Sequence, residues 1–368
     1  MQNNRVFIIA NSVYQLFTAI HMRRTVLKNR AAELLITDMT PGLPAYQPRL
    51  AETGLFDRVL LGKTAEWNKK YAAAKGDTLS EGFRDAQTVF RQALSDELAG
   101  YSEIYFSNFD PFARLLACWY YPLPCSFFWY EDGFSTYVID YLRENRAPIN
   151  RHPEGTKIRD KLAGVLLYEP RLAMRGDRLP NLRLPKVSRE DEALKELLNE
   201  VFDYKRPEVT GKFLFLEQSF RAEGIPTNDI ALMRLCQQTV GPDRFLVKPH
   251  PRNPENLPLQ LGLTRKYPSA APWELFLLNE EPDAFTLLTV CSNAALTGRL
   301  VFGIDPPTVM LYRLFEGKVL WQEDAVLQRY LRKFQREFAG RNYYVPKTVY
   351  ELKNILAYLG GRLDEQRG

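Results

Sequence analysis

Cysteine and histidine are scarce in this chain: four of one and three of the other in 368 residues. Cys118, Cys125, Cys236 and Cys291 form no C-x-x-C pair, which argues against a structural zinc site. Single thiols in apolar surroundings read as free and buried, and that implies a reducing cytoplasm. Long apolar runs are also missing. None reaches the roughly eighteen residues a spanning helix needs. Residues 6–20 are partly apolar but are interrupted by Asn11, Ser12 and Gln15, and they lack the small-residue end of a signal peptide. The expected protein is cytoplasmic, and soluble or at most peripheral on the inner membrane. There is no internal repeat and no low-complexity segment.

What is present describes a folded chain. Hydrophobic residues make up 45% and aromatics 12%, enough for two cores at this length. A net charge of +5 suits an anionic ligand, but many proteins without one are as basic.

Strand-like and helix-like segments alternate along the first half. Strands are expected over residues 5–10, 32–36, 58–61, 103–106 and 126–130. Helices are expected over 14–28, 68–74, 81–98 and 111–120. Such alternation predicts a parallel sheet wrapped by helices. From 171 to 187 the pattern breaks into a basic, Pro/Gly-containing stretch that reads as a linker. A second unit then offers strands over 212–217, 245–247 and 285–290. Its helices are expected over 189–202, 229–238, 272–278 and 294–302. The expected domains are thus residues 1–170 and 188–368, with helices beyond Tyr312 able to cross back to the first. In the tail, Leu327, Tyr330, Leu331, Phe334 and Phe338 recur at helical spacing among Arg329, Arg332, Lys333 and Arg336. This predicts an amphipathic helix packed on its domain, with a basic face on anionic lipid as the other reading.

Polar residues stand at several strand ends, where open α/β sheets bind ligands. Glu131-Asp132-Gly133 follows the run 126–130, and Lys248-Pro249-His250-Pro251-Arg252 follows 244–247. Adjacent carboxylates on a turn point apart, so one can face a substrate while the other fixes the loop; glycine permits close approach. Two prolines hold His250 on a stiff extended turn. Flanking cations lower its pKa, and a bound phosphate would raise it. His152-Pro153 shows that the dipeptide recurs without that strand context. Ser292-Asn293 closes the run 285–290 before an apolar helix and reads as a cap, an anion site, or both. Glu274 lies in the first turn of a helix, where the dipole favours acids and where a carboxylate can also hold a ribose diol.

Taken in order, these motifs resemble the bacterial lipooligosaccharide sialyltransferases, glycosyltransferase family 52, and their relatives with acidic-acidic-glycine and His-Pro motifs. The stretch Val6-Phe7-Ile8-Ile9-Ala10-Asn11-Ser12-Val13-Tyr14-Gln15-Leu16 is similar to that family's first strand, loop and helix, so the likeness runs to about residue 315. It implies a GT-B architecture: two Rossmann-like domains facing across a cleft. It also implies an inverting, metal-independent transfer from CMP-sialic acid to a hydroxyl of a bacterial surface glycan.

By this resemblance Glu131 is the general base beside Asp132, with Asp229 and then Glu217 as rival bases. His250 acts on the leaving phosphate, flanked by Lys248, Pro251 and Arg252. Glu274 binds the ribose, and Ser292 with Asn293 the phosphate. Asn293 stands where a second Ser or Thr is commoner, and Glu131 where Asp is. The absence of an Asp-x-Asp fits a donor with one phosphate. Asn11, Tyr14, Asn108 and Tyr137 are the acceptor-side candidates. No cofactor is expected. The partners are a nucleotide-sugar donor and a glycan acceptor rather than nucleic acid, with membrane association and a homodimer left open. CMP-Kdo or a UDP-sugar is the alternative donor, and a non-catalytic binder of anionic glycans is the alternative of another class.

Overall fold

A computed structural model describes residues 5–72, 77–84, 100–208, 212–268 and 271–365. The chain divides into two compact units. One comprises Met1–Pro185 with Glu190–Tyr204, the other Lys186–Arg189 with Lys205–Gly368.

The first unit is built on β1 (Arg5–Ala10), β2 (Ala31–Thr37), β3 (Arg58–Gly62), β4 (Tyr101–Phe106), β5 (Ser126–Tyr130), β6 (Leu162–Leu167) and β7 (Asn181–Arg183). They form one parallel sheet in the order β3-β2-β1-β4-β5-β6-β7. In β1 every residue from Val6 to Ala10 is buried, as a central parallel strand covered on both faces requires. The strand order reverses direction between β1 and β4, so the loops after these strands diverge and leave a crevice.

The second unit repeats the plan with β8 (Phe213–Leu216), β9 (Phe245–Lys248), β10 (Arg265–Lys266), β11 (Thr286–Thr289), β12 (Thr308–Met310) and β13 (Tyr343–Tyr344). The sheet is again parallel, in the order β10-β9-β8-β11-β12-β13, and its switch point lies between β8 and β11.

Three expectations need correction. The stretch 171–187 is not a free linker, because it carries β7, the last strand of the first sheet. One of its basic residues is held within the first unit. The Arg175 side chain is buried and donates to the Thr136 carbonyl (2.7 Å), Asp177 (2.8 Å) and Asn181 (2.6 Å), with its guanidinium 5.1 Å from the Trp129 ring. The helix Glu192–Val201 belongs to the first unit rather than opening the second; it buries Leu194, Leu198 and Val201 there. The last helix, Val349–Glu365, stays in the second unit, and Arg244 anchors it by donating to the Gly360 carbonyl at 2.9 Å.

Helix Asp324–Glu337 buries Leu327, Tyr330, Leu331 and Phe334 in the second unit's core, as the tail pattern predicts. Of the helix expected over 81–98, residues 81–84 close helix Asp77–Arg84, and 85–98 lie outside the described residues. Among the described residues no helix is long and apolar enough to cross a membrane. All four cysteines are free, and burial pushes Cys118, Cys125 and Cys236 up to about 12.

Candidate functional site

In the first unit a polar cluster forms at the carboxyl ends of β1, β4 and β5. Asn11 leaves β1 and is 8% exposed. Its amide donates to Asn108 (3.0 Å) and Asp110 (3.2 Å), its side-chain oxygen accepts from Thr37 (2.7 Å), and its N–H donates to Gln15 (2.8 Å). Gln15 in turn donates to Asn108 (2.8 Å) and to Asp132 (2.9 Å). Asp110 caps the helix Pro111–Trp119 through the N–H of Ala113 at 2.8 Å and also accepts from Asn68 at 3.2 Å. Burial pushes this carboxyl up to about 6. Gln15, Asn68 and Asp110 are functional candidates that sequence reasoning missed. The Asp-Pro step at 110–111 is a legible helix start, but nothing local announced its long-range partners.

The acidic motif divides its labour. Glu131 has 0% exposure. One oxygen takes the Tyr168 N–H (2.9 Å) and the Tyr137 hydroxyl, and the other takes the Tyr14 hydroxyl at 3.3 Å. Burial pushes Glu131 up to about 7, against the opposing pull of the Tyr137 hydroxyl, the Tyr168 N–H and the Tyr14 hydroxyl. Asp132 is half-buried; its N–H donates to Thr136 at 2.7 Å and its carbonyl accepts from Ser135 at 3.1 Å. The turn completes at Gly133, whose φ of 72° and ψ of −153° lie in a region open essentially to glycine alone.

Glu131, the expected base, is thus fully buried within this unit. Asp132, half-buried, is the more accessible carboxylate of the pair. Tyr137 is likewise fully buried, so of the four acceptor-side candidates Asn11, Tyr14 and Asn108 stand at the crevice and Tyr137 beneath it.

In the second unit the candidates lie at the ends of β8, β9 and β11. Glu217 organises them. It accepts from Arg221 (3.2 and 3.1 Å), Asn253 (3.3 Å), Asn256 and the backbone N–H of His250 (3.3 Å). Arg221 also reaches Asp229 at 3.5 Å, which accepts from Thr227 as well. Both rival bases are therefore buried partners of one arginine.

His250 is half-buried, and its Nδ1 accepts from the Arg252 N–H at 3.3 Å. The neutral ring must then carry its proton on Nε2. Burial first, and Arg252 second, lower its pKa, while Glu223 and Glu217 pull the other way. The Arg252 guanidinium itself is turned to Ser219 and Glu223, both at 3.1 Å, and Pro251 is exposed. Lys248 holds its ammonium 5.5 Å from the Tyr267 ring centroid; burial lowers its pKa, and Glu274 partly offsets this. Glu274 is buried in the first turn of helix Trp273–Asn279, and burial raises its pKa. The neighbouring Trp273 donates to the Ala294 carbonyl at 3.0 Å, which ties this helix to the loop after β11. There Ser292 accepts from the Ala294 N–H at 3.3 Å, and the Asn293 side-chain oxygen is buried without a partner. His152, by contrast, caps the helix Pro153–Lys161 through the Glu154 N–H, a structural role.

No protein-family model matches the chain, and no curated protein matches it in sequence. Among solved structures it is similar to LpCGTa in complex with UDP, at 11% identity and a TM-score of 0.52, covering 97% of this chain and 90% of that one. It is also similar to apo UGT2 of Phytolacca americana, at 12% identity and a TM-score of 0.51, covering 98% and 94%. An alpha/beta-galactoside alpha-2,3-sialyltransferase of Photobacterium phosphoreum matches at 10% identity and a TM-score of 0.46, covering 93% and 98%. At these identities the likeness defines the fold, which is of the GT-B type with two parallel-sheet α/β units.

Proposed function

We propose that the chain is an inverting, metal-independent glycosyltransferase that moves sialic acid from CMP-sialic acid to a hydroxyl of a bacterial surface glycan. The observation that carries this reading is the state of His250. A half-buried imidazole with its proton on Nε2, two residues from a half-buried Lys248, is built to donate to a phosphate oxygen. Ser292 and Asn293 supply further polar groups one turn away from the β11 end, and Glu274 suits the ribose diol. On the acceptor side Asp132 takes the proton of the attacking hydroxyl. That oxygen bonds to the anomeric carbon as the bond to phosphate breaks, and CMP leaves with the electron pair, steadied by His250. Glu131 holds the turn that presents Asp132. We place the enzyme in the cytoplasm, where such donors are found, with its acceptor at the inner membrane.

The second reading is a UDP-sugar donor, favoured by the likeness to LpCGTa, which was solved with UDP. One assay separates the two. Purified protein is given CMP-sialic acid, CMP-Kdo or UDP-glucose with a galactose-terminated acceptor, and nucleotide release is followed. CMP release from CMP-sialic acid that depends on acceptor supports the proposal. Turnover of UDP-glucose alone would replace it, and no turnover with any donor would favour a glycan-binding protein.

A further inference from the structure

A cavity of about 460 Å³ opens at the far side of the second sheet, lined by Tyr312, Arg313, Gln328, Arg332 and Lys347. Tyr312 and Arg313 follow β12, Lys347 follows β13, and Gln328 with Arg332 come from helix Asp324–Glu337. The cavity is therefore at the carboxyl edge of the sheet, but beyond β11 rather than at the β8/β11 switch point. None of the residues proposed to hold the donor lines it. Its size falls within the roughly 300–1,000 Å³ of small-molecule sites and exceeds what a lone inorganic ion fills.

The lining carries three cations and no acid. The nearby acids are occupied elsewhere. Asp324 accepts from the Val319 N–H (2.7 Å) and from Gln328 (2.9 Å), and Glu351 accepts from the Lys347 N–H (2.7 Å). Among the described residues Arg313, Arg332 and Lys347 are in no ion pair through their side chains. Tyr312 is 7% exposed, and its buried hydroxyl sits beside Arg313 without a hydrogen bond of acceptable geometry. A polar group in that position is costly unless something completes it. Lys347 also precedes the N-terminus of the long helix Val349–Glu365, whose dipole adds positive potential.

We propose that this cavity binds the phosphate group of a phosphorylated sugar. Two guanidinium forks match phosphate oxygens in bidentate fashion, and an ammonium supplies the third charge that a dianion calls for. Gln328 remains for a sugar hydroxyl. Tyr312 is the one aromatic residue of the lining and its ring is buried, so no face is offered for a nucleobase to stack on. The proposal does not depend on which donor the enzyme uses.

Calorimetry on the full chain tests it with glucose 6-phosphate, inorganic phosphate, glucose and CMP as probes. Glucose 6-phosphate should bind more tightly than inorganic phosphate, and glucose not at all. Arg332→Gln and Arg313→Gln should each weaken glucose 6-phosphate about tenfold or more, the usual scale for losing a charge-assisted bond, while CMP affinity stays within about twofold. Both substitutions are at exposed positions, and an unchanged melting temperature would show that folding is intact. No glucose 6-phosphate binding at millimolar concentration, or equal binding by the variants, would overturn the proposal. Inorganic phosphate binding as tightly as the sugar phosphate would remove the sugar from it. Loss of CMP affinity in the same variants would make the cavity part of the nucleotide site, and the proposal would fail.

Discussion

The backbone N–H of His250 donates to the carboxylate of Glu217 at 3.3 Å, across 33 residues of sequence. The end of β8 thus sets the turn that ends β9. Glu217 reaches the same turn through Asn253 and Asn256, so a buried carboxylate holds the histidine loop from beneath.

Replacing Glu217 by Ala should cost the second unit about 3 kcal/mol, because Arg221 and two asparagines lose a buried acceptor. Urea denaturation reads the loss. CMP affinity should fall with it, and Glu217→Gln, which keeps one oxygen, should fall between. Wild-type stability in Glu217→Ala would show that the carboxylate does not organise the loop.

Asp132→Asn should lower turnover by about a hundred- to ten-thousand-fold with CMP affinity little changed. Glu131→Gln should be the milder change, since its polar contacts to Tyr168 and the two tyrosines can be kept in part. Steady-state kinetics on both variants decides the matter. The reverse order would return the base role to Glu131, acting by way of the Tyr14 hydroxyl.

Glu131 also links stability to pH. An unfolded Glu titrates near its ordinary 4.5, while burial holds the folded one at about 7. The folded state keeps the proton more firmly, so this contribution is full below pH 4.5 and is lost as pH rises through 7. Its size is about 3 kcal/mol. Asp110, held at about 6, adds a slope of the same sign. Stability measured from pH 4 to 8 should therefore fall less steeply in Glu131→Gln than in the wild type. Parallel curves would rule this linkage out.

His250 should titrate below 6.5 in the free protein, because burial and Arg252 both disfavour its charged form. A phosphate at Nε2 would reverse this, so bound CMP should raise the value and CMP should bind more tightly as pH falls. Imidazole NMR shifts with and without CMP give the answer directly. A value that stays put on binding would separate the histidine from the phosphate.

Much of this fold was legible because buried parallel strands are written as short apolar runs. Residues 5–10 and 126–130 were read to the residue, and 32–36 falls within one residue of Ala31–Thr37 at each end. Among the strands that escaped, β6 and β12 are largely buried like those that are legible, while the other three are of another kind. β7 has three residues, all exposed, at a sheet edge, so it has no buried face to leave a pattern. β10 and β13 are two residues each. Within the site, residue type and strand end pointed to Glu131, His250, Glu274 and Ser292. Which carboxylate is covered depended on Tyr168 and Tyr137, whose positions follow from how β6 lies beside β5, and no local pattern carries that. Arg175 shows the same limit, since a basic stretch and a buried fork look alike until Trp129 and Thr136 are beside it.

The route of the chain from 185 to 205 has a practical consequence. Lys186–Arg189 belongs to the second unit, where Val187 donates to the Val301 carbonyl at 2.8 Å, yet Glu190–Tyr204 returns to the first. Neither half is a contiguous cassette. A shortened gene ending at 185 would encode the first unit without the helix Glu192–Val201, and one ending at 204 would carry a four-residue tag borrowed from the second. Chimaeras that exchange one unit for a homologue's must therefore splice at two junctions, and a single crossover would leave each product with an orphaned piece of the other's core.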